Sequence, residues 1–218
     1  MKPSGRQTAT VSPEPTAGTA FARCRAKNAS CTDLEGKTYV DFTSGIGVNS
    51  LGFADEGFVR AVSEQAAKLA HISNLFYTLP QETLAKRLVQ ATGMQKVFFA
   101  NSGAEANEGA IKAARKYSFD KYGPGRDKIV TLQNSFHGRT ITTLSATGQD
   151  AFHDFFFPFT EGFAHMPAND WPAAKQKLDG TVCAVLLELI QGEGGVVPLE
   201  RDYVRQIAAW CAANDVLR

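Results

Sequence analysis

Lys96-Val-Phe-Phe-Ala-Asn-Ser-Gly-Ala-Glu-Ala-Asn-Glu-Gly-Ala-Ile-Lys112 joins an apolar run to a helical one through a few small and polar residues. Lys96 to Ala100 has the length and apolar character of a buried strand, and Ala104 to Tyr117 has the small-residue periodicity of a helix. The same alternation continues downstream. Ile129 to Leu132 reads as a strand, Thr140 to Leu144 as a short helix and Phe163 to Met166 as a strand. Trp171 to Leu178 reads as a helix and Val182 to Glu188 as a buried strand. Tyr203 to Ala213 is a helix with Val204, Ile207, Ala208 and Cys211 on its apolar face, and Val216-Leu217-Arg218 opens another strand. Strand–helix alternation predicts an α/β fold, a mostly parallel sheet with helices on both faces.

Upstream the pattern differs. Phe21 to Phe42 is short and strand-like, with Leu34-Glu-Gly-Lys37 as a hairpin turn, and glycines 45, 47 and 52 then punctuate a loop. Phe58, Val62, Ala66 and Leu69 recur at helical spacing, as do Leu84 and Leu88. The expected organisation is a loose arm over 1–20, part of a small domain and linker over 21–75, and an incomplete large domain over 76–218.

Bulk composition narrows the function. With 44% apolar and 21% charged residues and a net charge of +1, the chain is an ordinary globular protein. Nothing in that balance calls for nucleic acid or an anionic membrane as partner. Cys24, Cys31, Cys183 and Cys211 show no C-x-x-C spacing, and the four histidines show no metal-binding spacing. Free thiols, an N-terminus without an apolar signal segment and no run of membrane-spanning length give a cytoplasmic expectation.

In parallel sheets ligands sit beyond the carboxyl ends of the strands, and three such ends carry chemistry. Asn101-Ser-Gly-Ala-Glu105 opens a helix, where free N–H groups and the positive dipole end suit a phosphate. Ser102 and Glu105 equally make a capping box that binds nothing. Asn134-Ser-Phe-His-Gly-Arg139 offers a Phe that could lie against an aromatic ring and an Arg that could grip a carboxylate; a surface turn is the plain alternative. Glu188 closes an apolar strand just before Gln191-Gly-Glu-Gly-Gly195, and is either a functional carboxylate or a wet strand end. Gly45-Ile-Gly-Val-Asn-Ser50 lacks the third glycine and the strand–helix setting of a dinucleotide fingerprint.

Together, Tyr39-Val-Asp-Phe-Thr-Ser-Gly-Ile-Gly-Val-Asn49, Phe98 to Lys112, Phe136-His-Gly-Arg-Thr140 and Gln191 to Gly195 resemble the class III aminotransferases. Ser73-Asn-Leu-Phe-Tyr-Thr-Leu-Pro-Gln81 and Thr143-Leu-Ser-Ala-Thr-Gly-Gln149 are most similar to the acetylornithine branch. The 4-aminobutyrate, ornithine and succinyl-diaminopimelate branches are alternatives. The resemblance implies the fold type I of pyridoxal 5'-phosphate (PLP) enzymes and PLP as cofactor. It also implies an amino-acid donor with 2-oxoglutarate as acceptor, and a homodimer at full length. It implies that Ser102, Gly103 and Ala104 hold the phosphate, that Phe136 stacks on the pyridine ring, and that His137 and Glu188 lie beside the cofactor. Arg139 would bind the substrate α-carboxylate, and Glu193 would pair with a movable arginine.

None of the twelve lysines matches the family's cofactor-anchoring position, which in relatives lies further along the chain. The chain alone is therefore expected to be inactive, as a fragment of an aminotransferase or as a non-catalytic half-protein associating with a full-length relative. The strand begun at Val216 favours the fragment, because an uncovered strand edge is a liability in a free-standing module.

Overall fold

The computed structural model describes residues Arg23–Arg218, so the arm expected over 1–20 lies outside the described residues. The chain divides into two compact units, one ending at Glu82 and the other beginning at Thr83.

In the first unit, β1 (Arg23–Lys27), β2 (Ser30–Asp33) and β3 (Thr38–Val40) form an antiparallel sheet in that order. Leu34 to Lys37 closes the β2–β3 hairpin because the Asp33 carboxylate accepts from the backbone N–H of Glu35 at 3.0 Å and of Lys37 at 2.9 Å. The glycine-punctuated segment contains a four-residue turn, α1 (Ser44–Gly47), with Gly45 and Ile46 left-handed. Helix α2 (Glu56–Lys68) begins where Asp55 accepts from the N–H of Phe58, a side-chain N-cap. Helix α3 (Leu79–Thr92) runs across the division between the units.

The second unit holds the parallel sheet. Its elements are α4 (Gly103–Tyr122), β4 (Lys128–Leu132), α5 (Ile141–Ala146), β5 (Phe163–Met166), α6 (Trp171–Lys175), β6 (Val182–Val185) and α7 (Arg201–Ala213). A two-residue hairpin pair, β7 (Ile190–Gln191) and β8 (Val197–Pro198), precedes α7. Strand order is β5-β4-β6, all parallel. Leu217 adds a parallel bridge to the free edge of β6, its N–H donating to Cys183 O at 3.0 Å and its O accepting from Val185 N at 2.9 Å. The strand foreseen at Val216 thus starts in register.

The side-chain period of two fixes which helices cover which face. Val130 and Leu132 of β4, with Met166, Val182 and Val185, pack against Ala174, Leu178, Tyr203, Ile207 and Cys211 of the α6–α7 region. Ile129, Cys183 and Ala184 pack on the other face against Ile111 and Ala114 of α4. The pairing shifts by one residue between Lys128 and Ile129, which lets Cys183 and Ala184 share a face.

Two expectations need correction. Lys96 to Ala100 forms no strand: it pairs with no ladder among the described residues, and Phe98 is 73% exposed. A short apolar run carries no information about whether a neighbouring strand exists. Here β4 has β5 and β6 on its two sides, and Leu217 takes the outer edge of β6. The Phe98 ring instead lies over α4 at Gly109, where an added Cβ would come within 3.0 Å of it. The strand expected over Val182 to Glu188 also ends early, at Val185. Leu186 still donates to Val130 O at 2.9 Å before the chain bends away toward Glu188.

Candidate functional site at the strand ends

The carboxyl ends of β4 and β6 and the amino end of α4 converge. Helix α4 starts where Ser102 takes an extended conformation and its hydroxyl accepts from Glu105 N at 3.2 Å. The Glu105 carboxylate accepts from Asn101 N at 2.7 Å and from the Asn101 amide at 3.0 Å. Half of the capping box read from the sequence is therefore formed: Ser102 caps the helix, but the Glu105 carboxylate closes on Asn101 and not on Ser102 N. It leaves Ser102 and Gly103 exposed, at the positive end of a 20-residue helix.

That helix end is fastened to the Phe136–Thr140 loop. Asn107 donates to His137 O at 2.7 Å, and Thr140 donates to the Glu108 carboxylate at 2.7 Å. A Cβ on Gly138, whose φ is +131°, would sit 2.8 Å from the Ala104 Cβ and 2.6 Å from the Thr143 hydroxyl. Only glycine lets the loop approach the helix this closely.

Glu188 then ties this loop to the third cluster. One carboxylate oxygen accepts from Phe136 N at 2.9 Å and the other from Gly192 N at 3.1 Å. Gln191 donates to Gln133 O at 2.8 Å, and an added Cβ on Gly194 would fall 2.5 Å from Asn134 O. Glu193 is exposed and accepts from the Gln149 amide at 2.5 Å. Arg139 is exposed too, with its guanidinium carbon 4.9 Å from the Phe152 ring centroid. Ser102, Gly103, Ala104, Phe136, His137, Arg139, Glu188 and Glu193 thus lie on three loops that are bonded to one another.

His137 is buried, and its Nε2 is the one buried side-chain polar atom without a hydrogen-bond partner among the described residues. Burial lowers its pKa, with the nearby Glu188 charge opposing and His165 adding to the effect, so the imidazole is neutral near pH 7. A buried orphan nitrogen, a half-buried Phe136 and a helix amino end with free N–H groups are together what a planar heteroaromatic phosphate ester requires. The residues present fit PLP.

Sequence reasoning missed several supports of this arrangement. Thr147 is fully buried and its hydroxyl accepts from His137 N at 2.9 Å. Gly148 lies so close to β4 that a Cβ would be 2.1 Å from Leu132 O. Both belong to the Thr143–Gln149 stretch that carries the acetylornithine resemblance. Their roles depend on a segment returning to the strand end from α5, which no local pattern encodes.

The family model for aminotransferase class-III matches residues 12–218. This chain belongs to the class III aminotransferases. It is 59% identical over 186 residues to the acetylornithine aminotransferase of Haemophilus ducreyi, covering 85% of this chain and 47% of that protein. A Pseudomonas aeruginosa protein named succinylornithine transaminase/acetylornithine aminotransferase is 44% identical over 198 residues, 91% of this chain and 49% of its own length. Among solved structures, N-acetylornithine aminotransferase from Stenotrophomonas maltophilia matches with TM-score 0.77 and 35% identity, over 92% of this chain and 50% of that one. Ornithine aminotransferase from Toxoplasma gondii matches with TM-score 0.88 and 29% identity, over 95% and 50%. The chain spans about half the length of the curated relatives it matches, and the architecture is that of fold type I PLP enzymes.

Proposed function

We propose that this chain supplies the phosphate, ring and carboxylate contacts of a PLP-dependent aminotransferase that moves the amino group of N-acetylornithine to 2-oxoglutarate in arginine biosynthesis. The observation that carries this reading is the clip made by Glu188. By accepting from Phe136 N and from Gly192 N it joins the second and third strand-end clusters, which the Asn107–His137 and Thr140–Glu108 bonds fasten to the first. The similarity to acetylornithine aminotransferases favours that branch. When bound, the cofactor would supply an electron sink for the reacting substrate. The amino end of α4 at Ser102, Gly103 and Ala104 would hold the phosphate through N–H groups and the helix dipole. Phe136 would stack on the ring and exclude water from it. Neutral His137 presents Nε2 without bringing a competing charge. Arg139 would meet the substrate carboxylate with two parallel hydrogen bonds, and Glu193 would pair with a movable arginine. The protein would work as a cytoplasmic homodimer.

Residues 1–218 alone are not expected to catalyse transfer. Lys112, Lys116 and Lys121 lie along α4 beyond its amino end, Lys128 begins β4 at the opposite edge, and Lys175 ends α6. None of these five lysines brings an amine to the strand ends, so in this reading the base of the proton shuttle lies outside them.

The test is purification of the complete gene product with PLP and assay with N-acetylornithine, ornithine and 4-aminobutyrate against 2-oxoglutarate. Absence of a bound-cofactor absorbance band, or transfer from none of the three, would sink the reading. The double name of the Pseudomonas relative supports a second donor, N-succinylornithine, which belongs in the same panel.

A further inference from the structure

The substrate-facing cation has a support that the aminotransferase reading does not account for. Phe152 ends the 3-10 turn Asp150–Phe152, and its half-buried ring lies between two groups of the site. Its centroid is 4.9 Å from the Arg139 guanidinium carbon and 5.8 Å from the Phe136 centroid, with a 70° angle between the rings. The turn itself is fixed at both ends. Gln149, just before it, donates to Ser135 O at 3.3 Å and to Glu193 at 2.5 Å. His153, just after it, bonds Leu144 O through Nε2 at 3.0 Å, and its ring lies tilted at 56° to Phe159 with 5.1 Å between centroids. Phe152 is therefore a placed ring.

Arg139 makes no hydrogen bond or ion pair with another group among the described residues. Its orientation thus rests on the ring beside it. A guanidinium held by an aromatic ring keeps its planar fork of donors free, which is what two-point capture of a carboxylate needs. Holding the long side chain in place beforehand also reduces the rotamer entropy lost on binding.

We propose that Phe152 is a positioning residue for substrate-carboxylate recognition, holding Arg139 in the orientation that meets the carboxylate. The identity of the ligand rests on the aminotransferase reading; the ring–guanidinium geometry does not.

The experiment compares wild type, Phe152→Leu and Phe152→Tyr in the complete gene product loaded with PLP. It measures KM and kcat for N-acetylornithine and 2-oxoglutarate, and calorimetric binding of maleate, an unreactive dicarboxylate. Phe152→Leu is expected to raise both KM values and the maleate Kd about two- to fivefold, the range of an exposed cation–π contact. Its kcat should stay within about twofold, because an interaction formed equally in ground and transition states leaves kcat alone. Phe152→Tyr, which keeps the ring, should restore all three. Unchanged KM and Kd in Phe152→Leu, a kcat loss with KM intact, a Tyr variant no better than Leu, or a wild-type protein that does not bind maleate would each overturn the proposal. If the wild type transfers no amino group, the aminotransferase reading falls, while the maleate titration still decides the role of Phe152.

Discussion

Replacing Glu188 with alanine separates a loop clip from a group that merely lies beside a cofactor. In the structure the two carboxylate oxygens accept from Phe136 N at 2.9 Å and Gly192 N at 3.1 Å, the first partly buried and the second exposed. A hydrogen bond to a charged group contributes roughly 1.5–3 kcal/mol when shielded, while an exposed one is largely replaced by water and contributes about 0.5 kcal/mol. The sum is about 2–3.5 kcal/mol. For a domain between the usual small and medium sizes, each kcal/mol moves the midpoint about 3–4 °C, so Tm should fall by about 6–14 °C. Glu188→Gln keeps one accepting oxygen but turns an NH2 group toward the other donor, so it should lose about half as much. Thermal and urea unfolding without cofactor measure this directly. An alanine variant within about 0.5 kcal/mol of wild type, the range of an ordinary surface substitution, would refute the clip and leave Glu188 a cofactor neighbour only.

Three further outcomes follow from the same coordinates. Gly148→Ala places a Cβ 2.1 Å from Leu132 O, and because backbone yields poorly it should destabilise by about 1–3 kcal/mol or more, read by urea unfolding. Ile207→Ala, at a side chain only 1% exposed between α7 and the sheet, should cost about 2–5 kcal/mol on the same measurement. Burial lowers the pKa of both His137 and His165 from the ordinary 6.5, with the His153 charge adding to the effect at His165. The unfolded chain then binds more protons than the native one below about pH 6.5, so stability is full above that pH and declines as pH falls toward the native pKa values. A urea midpoint series from pH 7.5 to about 5 should show the decline, and His137→Asn should flatten its slope.

How much of this was legible in the sequence depended on whether the cause was local. α2, α4 and α7 were readable because helical periodicity lies within the segment itself, with Ser102 capping α4 as well. β4, β5 and β6 were readable because buried parallel strands are short apolar runs between helices. Lys96 to Ala100 failed by the same rule, since its neighbours in the sheet are set by topology and not by its own residues. The β7–β8 hairpin was missed because two-residue strands have no period to detect. At the site, the residue types on each strand end were visible, but the bonds between clusters were not. Asn107 reaches His137 across 30 positions, and Glu188 reaches Phe136 across 52.

Those long-range bonds also explain why each cluster read alone looked unremarkable. A capped helix, a glycine turn and a strand-ending glutamate are each common solutions to local hydrogen-bonding needs. Here each local solution leaves something over. The capped α4 leaves exposed N–H groups, the glycine turn leaves His137 Nε2 unpaired, and the glutamate reaches the Phe136 loop with one oxygen and Gly192 of its own segment with the other. Gly138 and Gly194 then remove the side chains that would hold those remainders apart. A chain concerned only with stability would have paired or replaced that nitrogen, because an unpaired buried polar atom costs free energy. Retaining it at the carboxyl edge of a parallel sheet is the physical argument for a ligand site, and it stands independently of any relative.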